Sequence, residues 1–105
     1  MVIRGEVWLA ALDPAVGSEI QKTRPCVVVS PPEMHDHLRT VIVAPMTTGS
    51  KPAPYRVALS FSGKKGLILT DQVRTLDKTR LVKRLGAVSP KVLASVLAAL
   101  QEAFT

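Results

Sequence analysis

The chain has 105 residues, 47% hydrophobic and 21% charged, a size that supports a single core and a composition far from the disordered range. A lone cysteine, Cys26, excludes an internal disulfide framework and fits a reducing compartment, so cytoplasm is the expected location. Fourteen Lys and Arg against eight Asp and Glu give a net charge of +6, which favours a polyanionic partner, and no run approaches the roughly 18 apolar residues of a membrane span.

The charge is uneven along the chain. Four basic and five acidic side chains precede residue 51, whereas ten and three follow it, so the second half supplies the positive face. The bland alternative is a solvated surface that serves solubility.

Glu6 to Leu12 alternates weakly, with Trp8, Ala10 and Leu12 on one side and Val7 and Leu9 on the other, as expected of a strand covered on both faces. Asp13-Pro14 ends it. Residues 15 to 23 lose the apolar pattern and form a loop longer than most connections in compact domains, and such loops often serve function. Cys26 to Val29 and Val41 to Ala44 are β-branched runs closed by Pro31 and Pro45, which reads as two buried strands separated by a polar loop from Pro31 to Arg39.

Tyr55 to Leu59 alternates as a half-buried strand, and Ser62 to Gly66 turns the chain. Leu67 to Val73 and Leu81 to Val88 are further strands, separated by a polar segment from Thr75 to Arg80, and Gly86 marks a bulge or a close approach. Then the period changes. Ser89 before Pro90 is an N-cap with proline in the first helical position, and Leu93, Val96, Leu97, Leu100 and Phe104 recur at helical spacing. The expected architecture is mainly β: one domain spanning residues 1–105, a bent antiparallel sheet or small barrel with one C-terminal helix.

Some motifs carry little. His35-Asp36-His37 lacks the three or four convergent ligands of a metal site and places both histidines on one loop, a poor geometry for an acid–base pair. Cys26, flanked by valines, reads as a small core hydrophobe. Arg74, Lys78, Arg80, Lys83 and Arg84 crowd five positive charges against one negative, Asp77, within eleven residues; on one face they would track a nucleic-acid backbone. Aromatic stacking platforms are scarce.

Three stretches go together: Gly5 to Pro14 (GEVWLAALDP), Gly17-Ser18-Glu19 leading to Thr23–Pro31 (TRPCVVVSP), and Val43–Gly49 (VAPMTTG). With Asp71-Gln72-Val73-Arg74 and Lys83-Arg84-Leu85-Gly86, they resemble the MazF/PemK toxins over nearly the whole chain. The resemblance implies an SH3-like antiparallel barrel shared with the CcdB gyrase poisons, assembled as a homodimer. It implies the toxin of a type II toxin-antitoxin system, a sequence-specific endoribonuclease that acts on single-stranded RNA, mRNA included, without metal or cofactor. The ribose 2′-hydroxyl attacks phosphorus and leaves a 2′,3′-cyclic phosphate and a 5′-hydroxyl, and an acidic MazE-like antitoxin blocks the enzyme.

By match to the family, Arg24 and Thr47 are the catalytic residues, with Glu19 in support. Arginine suits transition-state stabilisation, since its pKa above about 12 makes it a poor proton shuttle. On residue chemistry alone, Arg24 could instead pair with Glu19, and Thr47 could fix a turn. Lys22, Thr48 and Lys51 beside these, Asp71 and Gln72 further on, and the basic cluster complete the expected RNA contacts. In the Kid branch an arginine near the Asp-Gln motif and a histidine in the first loop are implicated; Leu69 and Ser18 stand there in this chain. The alternatives are a CcdB-like, non-catalytic inhibitor of gyrase and a basic RNA-binding module without activity.

Overall fold

In a computed structural model describing residues 1–105, strand Thr23–Val28 (β2) buries Val27 towards one face and Cys26 and Val28 towards the other, all fully. Its neighbours Glu6–Ala11 (β1) and Thr40–Thr47 (β3) divide their side chains in the same way. Val7, Ala44 and Met46 join one core, and Ala10, Val41 and Val43 the other, with Trp8 packed on the second. Burial on both faces is why these strands read as near-continuous apolar runs.

Val57–Phe61 (β4), Lys64–Ile68 (β5), Arg74–Asp77 (β6) and Leu81–Ala87 (β7) complete a seven-stranded antiparallel sheet ordered β4-β5-β3-β2-β1-β7, with β6 also on β3. Strand β3 holds the architecture together. Thr40–Val43 pairs with β6, Val43–Pro45 with β2, and Met46–Thr47 with β5, so the sheet curls about it into a half-barrel.

After the four-residue helix Pro32–His35 (α1), the one long helix is Pro90–Ala103 (α2). Its N-cap forms as the sequence dictates: the Ser89 hydroxyl accepts the Val92 N–H at 3.1 Å, and Pro90 needs no partner for its nitrogen. The helix drops Val96 into the first core beside Val7 and Ile68, with Val92 and Leu100 flanking it. The expected bulge also forms, since β1–β7 pairing shifts between Val7↔Gly86 and Trp8↔Arg84, and Gly86 sits at φ 153°.

Several expectations differ in detail: the strand expected at Tyr55–Leu59 runs instead over Val57–Phe61, and β5 begins at Lys64, inside the turn expected at Ser62–Gly66. Leu67 to Val73 is not one strand: pairing ends at Ile68, and Thr70–Gln72 forms a 3₁₀ turn. The polar segment after Val73 holds β6, whose Thr75 and Asp77 face solvent while Leu76 is buried against β3. The loop after Pro31 contains α1, and there His35 is buried. Val2's carbonyl can only accept, so His35 Nε2 carries a proton and donates it at 2.7 Å. The Ser30 hydroxyl meets Nδ1 at 2.8 Å and accepts the Ile42 N–H at 3.1 Å, so the imidazole is a structural clamp with no free nitrogen for surface chemistry.

Glu6 fastens the curl. Its buried carboxylate accepts from Ile3 N–H (2.8 Å), Trp8 Nε1 (3.2 Å) and Arg84 Nε on β7. Burial pushes this carboxyl up, but the Ile3 N–H, Arg84 and Trp8 more than offset it and hold it below its ordinary 4.5. Its stabilising contribution is therefore complete above that pH and fades as pH falls through the lower folded value. Glu6→Gln is expected to cost about 1–3 kcal/mol at pH 7 and to flatten the acid limb of stability, checked by urea unfolding at several pH values.

Candidate active site

Pro25 and Pro45 have no N–H to donate, and the β2–β3 ladder stops at Cys26↔Pro45. Beyond that point the strands part. Strand β2 stays with β1, through Ala10↔Arg24 and Ala11↔Thr23, while β3 turns to β5 through Thr47↔Leu67. Continuing the broken register two residues would set Arg24 opposite Thr47, so these side chains stand on the two lips of the opening. They line one cleft, with Pro25, Met46, Leu59, Phe61 and Leu85 as its apolar part and Lys64 and Lys65 among its polar part.

Both lip residues are held yet keep donors. Arg24 Nε donates to the Gln21 carbonyl at 3.2 Å, which leaves the two terminal amines without a protein partner. Thr47 Oγ1 accepts the Gly49 N–H at 3.2 Å, so the turn-fixing role exists, and the hydroxyl proton remains available to a ligand. Gly66 lets β5 approach closely, since a Cβ there would lie 3.0 Å from the Thr47 carbonyl oxygen. Thr48, Lys51 and Lys22 are exposed nearby in sequence, with Lys22 at φ 69°.

Glu19 lies in a second cleft with Ser18, Asp71, Gln72 and Arg74. It does not pair with Arg24; its Oε1 accepts the Val16 N–H at 2.6 Å within its own loop. Gln72 Oε1 accepts the Ile20 N–H at 2.7 Å and so ties that loop to the turn after β5. Leu69 is buried, and the guanidinium beside Asp71 comes from Arg56 instead, with Nε and Nη2 on the two carboxylate oxygens at 3.1 and 2.9 Å. This bidentate pair holds the Asp71 carboxyl below its ordinary 3.8, ionised at neutral pH.

The basic cluster is largely committed to the scaffold. Arg74 Nη1 donates to the Leu12 carbonyl at 3.2 Å, Arg80 Nη1 to those of Ala11 and Asp13, and Lys78 to that of His35. Arg84 holds Glu6, and Lys83 alone of the five has no protein partner. Electrostatics separates the two clefts: the Arg24–Thr47 cleft has three cations and no carboxylate, whereas the second carries Glu19 and Asp71. The first is therefore the more electropositive of the two. The sequence motifs do not point to Arg56, Phe61, Lys64 or Lys65; the only signal is an adjacent lysine pair beside a Ser-Gly turn.

The fold is a small curled β sheet, a half-barrel, whose parted strands present an arginine and a hydroxyl at one opening. The chain matches the family of PemK-like, MazF-like toxins of type II toxin-antitoxin systems over residues 3–104, and it belongs to that family. It is 38% identical over 108 aligned positions to the endoribonuclease PemK of Escherichia coli, covering 97% of this chain and 81% of that protein. The structure of MazF from Deinococcus radiodurans superposes with a TM-score of 0.87 at 28% identity, covering 98% and 96% of the two chains. An endoribonuclease from a Mycobacterial species, solved in complex with its cognate antitoxin, superposes at 0.83 with 27% identity over 99% and 95%.

Two measurements check this geometry. Burial pushes the Cys26 thiol up to about 12, so native protein is expected to resist iodoacetamide at pH 8 and to be alkylated only after denaturation, as read by intact mass. Replacing Arg56 with methionine should let the Asp71 carboxyl rise towards 3.8, visible in a carboxyl-carbon NMR titration.

Proposed function

We propose that this toxin-family protein cuts single-stranded RNA in the Arg24–Thr47 cleft by transesterification, with no metal ion or cofactor, leaving a 2′,3′-cyclic phosphate and a 5′-hydroxyl. The endoribonuclease names of its relatives support RNA as the substrate. The observation that carries the assignment to this cleft is the sharing of one carboxylate-free opening by Arg24 and Thr47.

Attack by the ribose 2′-hydroxyl adds negative charge to the non-bridging phosphoryl oxygens as phosphorus becomes five-coordinate. The free amines of Arg24 and the hydroxyl of Thr47 are donors set to meet that charge, and each is anchored through an atom it does not need for the purpose. Preorganisation of this kind matters most in the transition state, so Arg24 contributes to turnover more than to ground-state affinity. Glu19 supports the site from the neighbouring loop. Lys22, Thr48, Lys51, Gln72 and Lys83 extend the contact surface, while Arg74, Lys78, Arg80 and Arg84 contribute their charge from positions already fixed by carbonyls or by Glu6.

The protein works in the cytoplasm as a homodimer and is silenced by an acidic antitoxin of the MazE kind. A solved relative bound to its cognate antitoxin supports that partner, and the free cations of the cleft suit an acidic segment.

Arg24→Ala is expected to lower kcat about 10²–10³-fold with little change in KM, and wild-type cleavage should persist in excess EDTA. End analysis of digested, unstructured RNA checks both. Intact RNA across several sequences, or equal cleavage by Arg24→Ala, would refute the assignment, and inhibition of supercoiling without RNA breakage would select a gyrase inhibitor.

A further inference from the structure

The β4–β5 hairpin supplies one wall of the Arg24–Thr47 cleft. In its register Phe61 stands opposite Lys64 and Leu59 opposite Gly66, so these four residues share a face. Lys65, opposite Ser60, belongs to the other face. Phe61 is half-buried against the first core, and its ring reaches to 3.2 Å from where a Cβ on Gly86 would lie, so the absence of a side chain on β7 makes room for it. It is the one aromatic side chain in either cleft; the Trp8 indole is tied to Glu6, and Tyr55 lies beside Arg56.

A single-stranded nucleic acid repeats a flat apolar face and an anion at short intervals. The hairpin wall offers the complement: an aromatic ring continued by Leu59, Met46 and Leu85, flanked by Lys64, with no acidic side chain to repel the backbone. We propose that this wall is a nucleoside subsite for the RNA strand, in which Phe61 stacks on one base adjoining the bound phosphate and Lys64 takes the next phosphate along. The inference rests on the cleft being the RNA site, and it adds two contact residues and a reason for preference at one position. An acidic peptide would use the lysine and leave the ring idle.

The test measures binding, independently of cleavage. Fluorescence anisotropy is read with a mixed-sequence 2′-O-methyl octamer, which lacks the attacking hydroxyl, and with its abasic counterpart. Wild-type protein is expected to bind the base-bearing octamer about tenfold more tightly than the abasic one, the scale of a single stacked base. Phe61→Leu should abolish most of that gap and leave abasic affinity unchanged. Lys64→Gln should weaken both octamers alike and reduce the slope of log K against log salt by about 0.7, as for one lost phosphate contact, with Lys65→Gln the smaller effect.

The proposal is overturned if wild type shows no gap between the octamers, if Phe61→Leu retains the gap, or if Lys65→Gln matches or exceeds Lys64→Gln. Should Phe61→Leu melt well below wild type, the wild-type gap and the lysine pair decide the matter. Failure of the nuclease assignment would show separately, as RNA left intact by a protein that binds both octamers as described.

Discussion

Strand β3 cannot keep one partner along its length, and the site follows from that. Eight residues serve β6, β2 and β5 in turn, and the change from β2 to β5 falls where Pro25 lacks a ladder donor and the Pro45 carbonyl already bonds the Leu69 N–H after β5 at 2.8 Å. A strand with both neighbours intact would bury its polar groups in pairing and leave nothing open between them. Here the end of one ladder leaves a gap between β2 and β3 within the curled sheet. Arg24 and Thr47 emerge at that gap from backbone that is still fixed, by β1 on one side and by β5 on the other, so the site stands on rigid elements and does not depend on a mobile loop.

The second-half positive charge has two uses, and geometry separates them. The long loop after β1 would be poorly held by its own residues, since it lacks an apolar pattern. Leu12 N–H bonds the Lys22 carbonyl at 2.9 Å, and Lys22 N–H bonds Asp13 Oδ1 at 3.0 Å. Arg74, Arg80 and Gln72 then grip the loop from β6, from the turn after it and from the turn after β5. A guanidinium donating to carbonyls satisfies buried backbone acceptors without the entropy of a longer apolar segment, and it keeps its formal charge. The +6 of the chain thus acts as a general field that attracts polyanions, while the cations of the 74–84 cluster, Lys83 excepted, are already engaged with carbonyls or with Glu6.

Much of the fold was legible because it is specified locally. The Ser89-Pro90 cap, the helical period after it, the two β-branched runs and the bulge at Gly86 each rest on the conformational preferences of a few adjacent residues. What escaped was specified at a distance. Leu67 to Val73 reads as one apolar strand, yet strand pairing ends at Ile68; the Leu69 N–H makes a last bond to the Pro45 carbonyl of β3 at 2.8 Å before the chain turns, while Leu69 and Thr70 stay buried. Strand β6 escaped for the opposite reason: a polar edge strand needs only Leu76 inside, and one apolar residue makes no period.

The candidate site divides along the same line. Arg24 and Thr47 were found through a motif, but their convergence depends on where a ladder fails, which no local pattern encodes. Glu19 lies close to Arg24 in sequence, yet the intervening loop folds back towards the turn after β5 and carries it to Asp71. Lys64 and Lys65 look alike in sequence and both line the cleft, yet by the pleat only Lys64 shares a face with Phe61. Charge, then, was readable as an amount for the whole chain. Its direction was set by pairing register, and direction determines which cations can meet a phosphate.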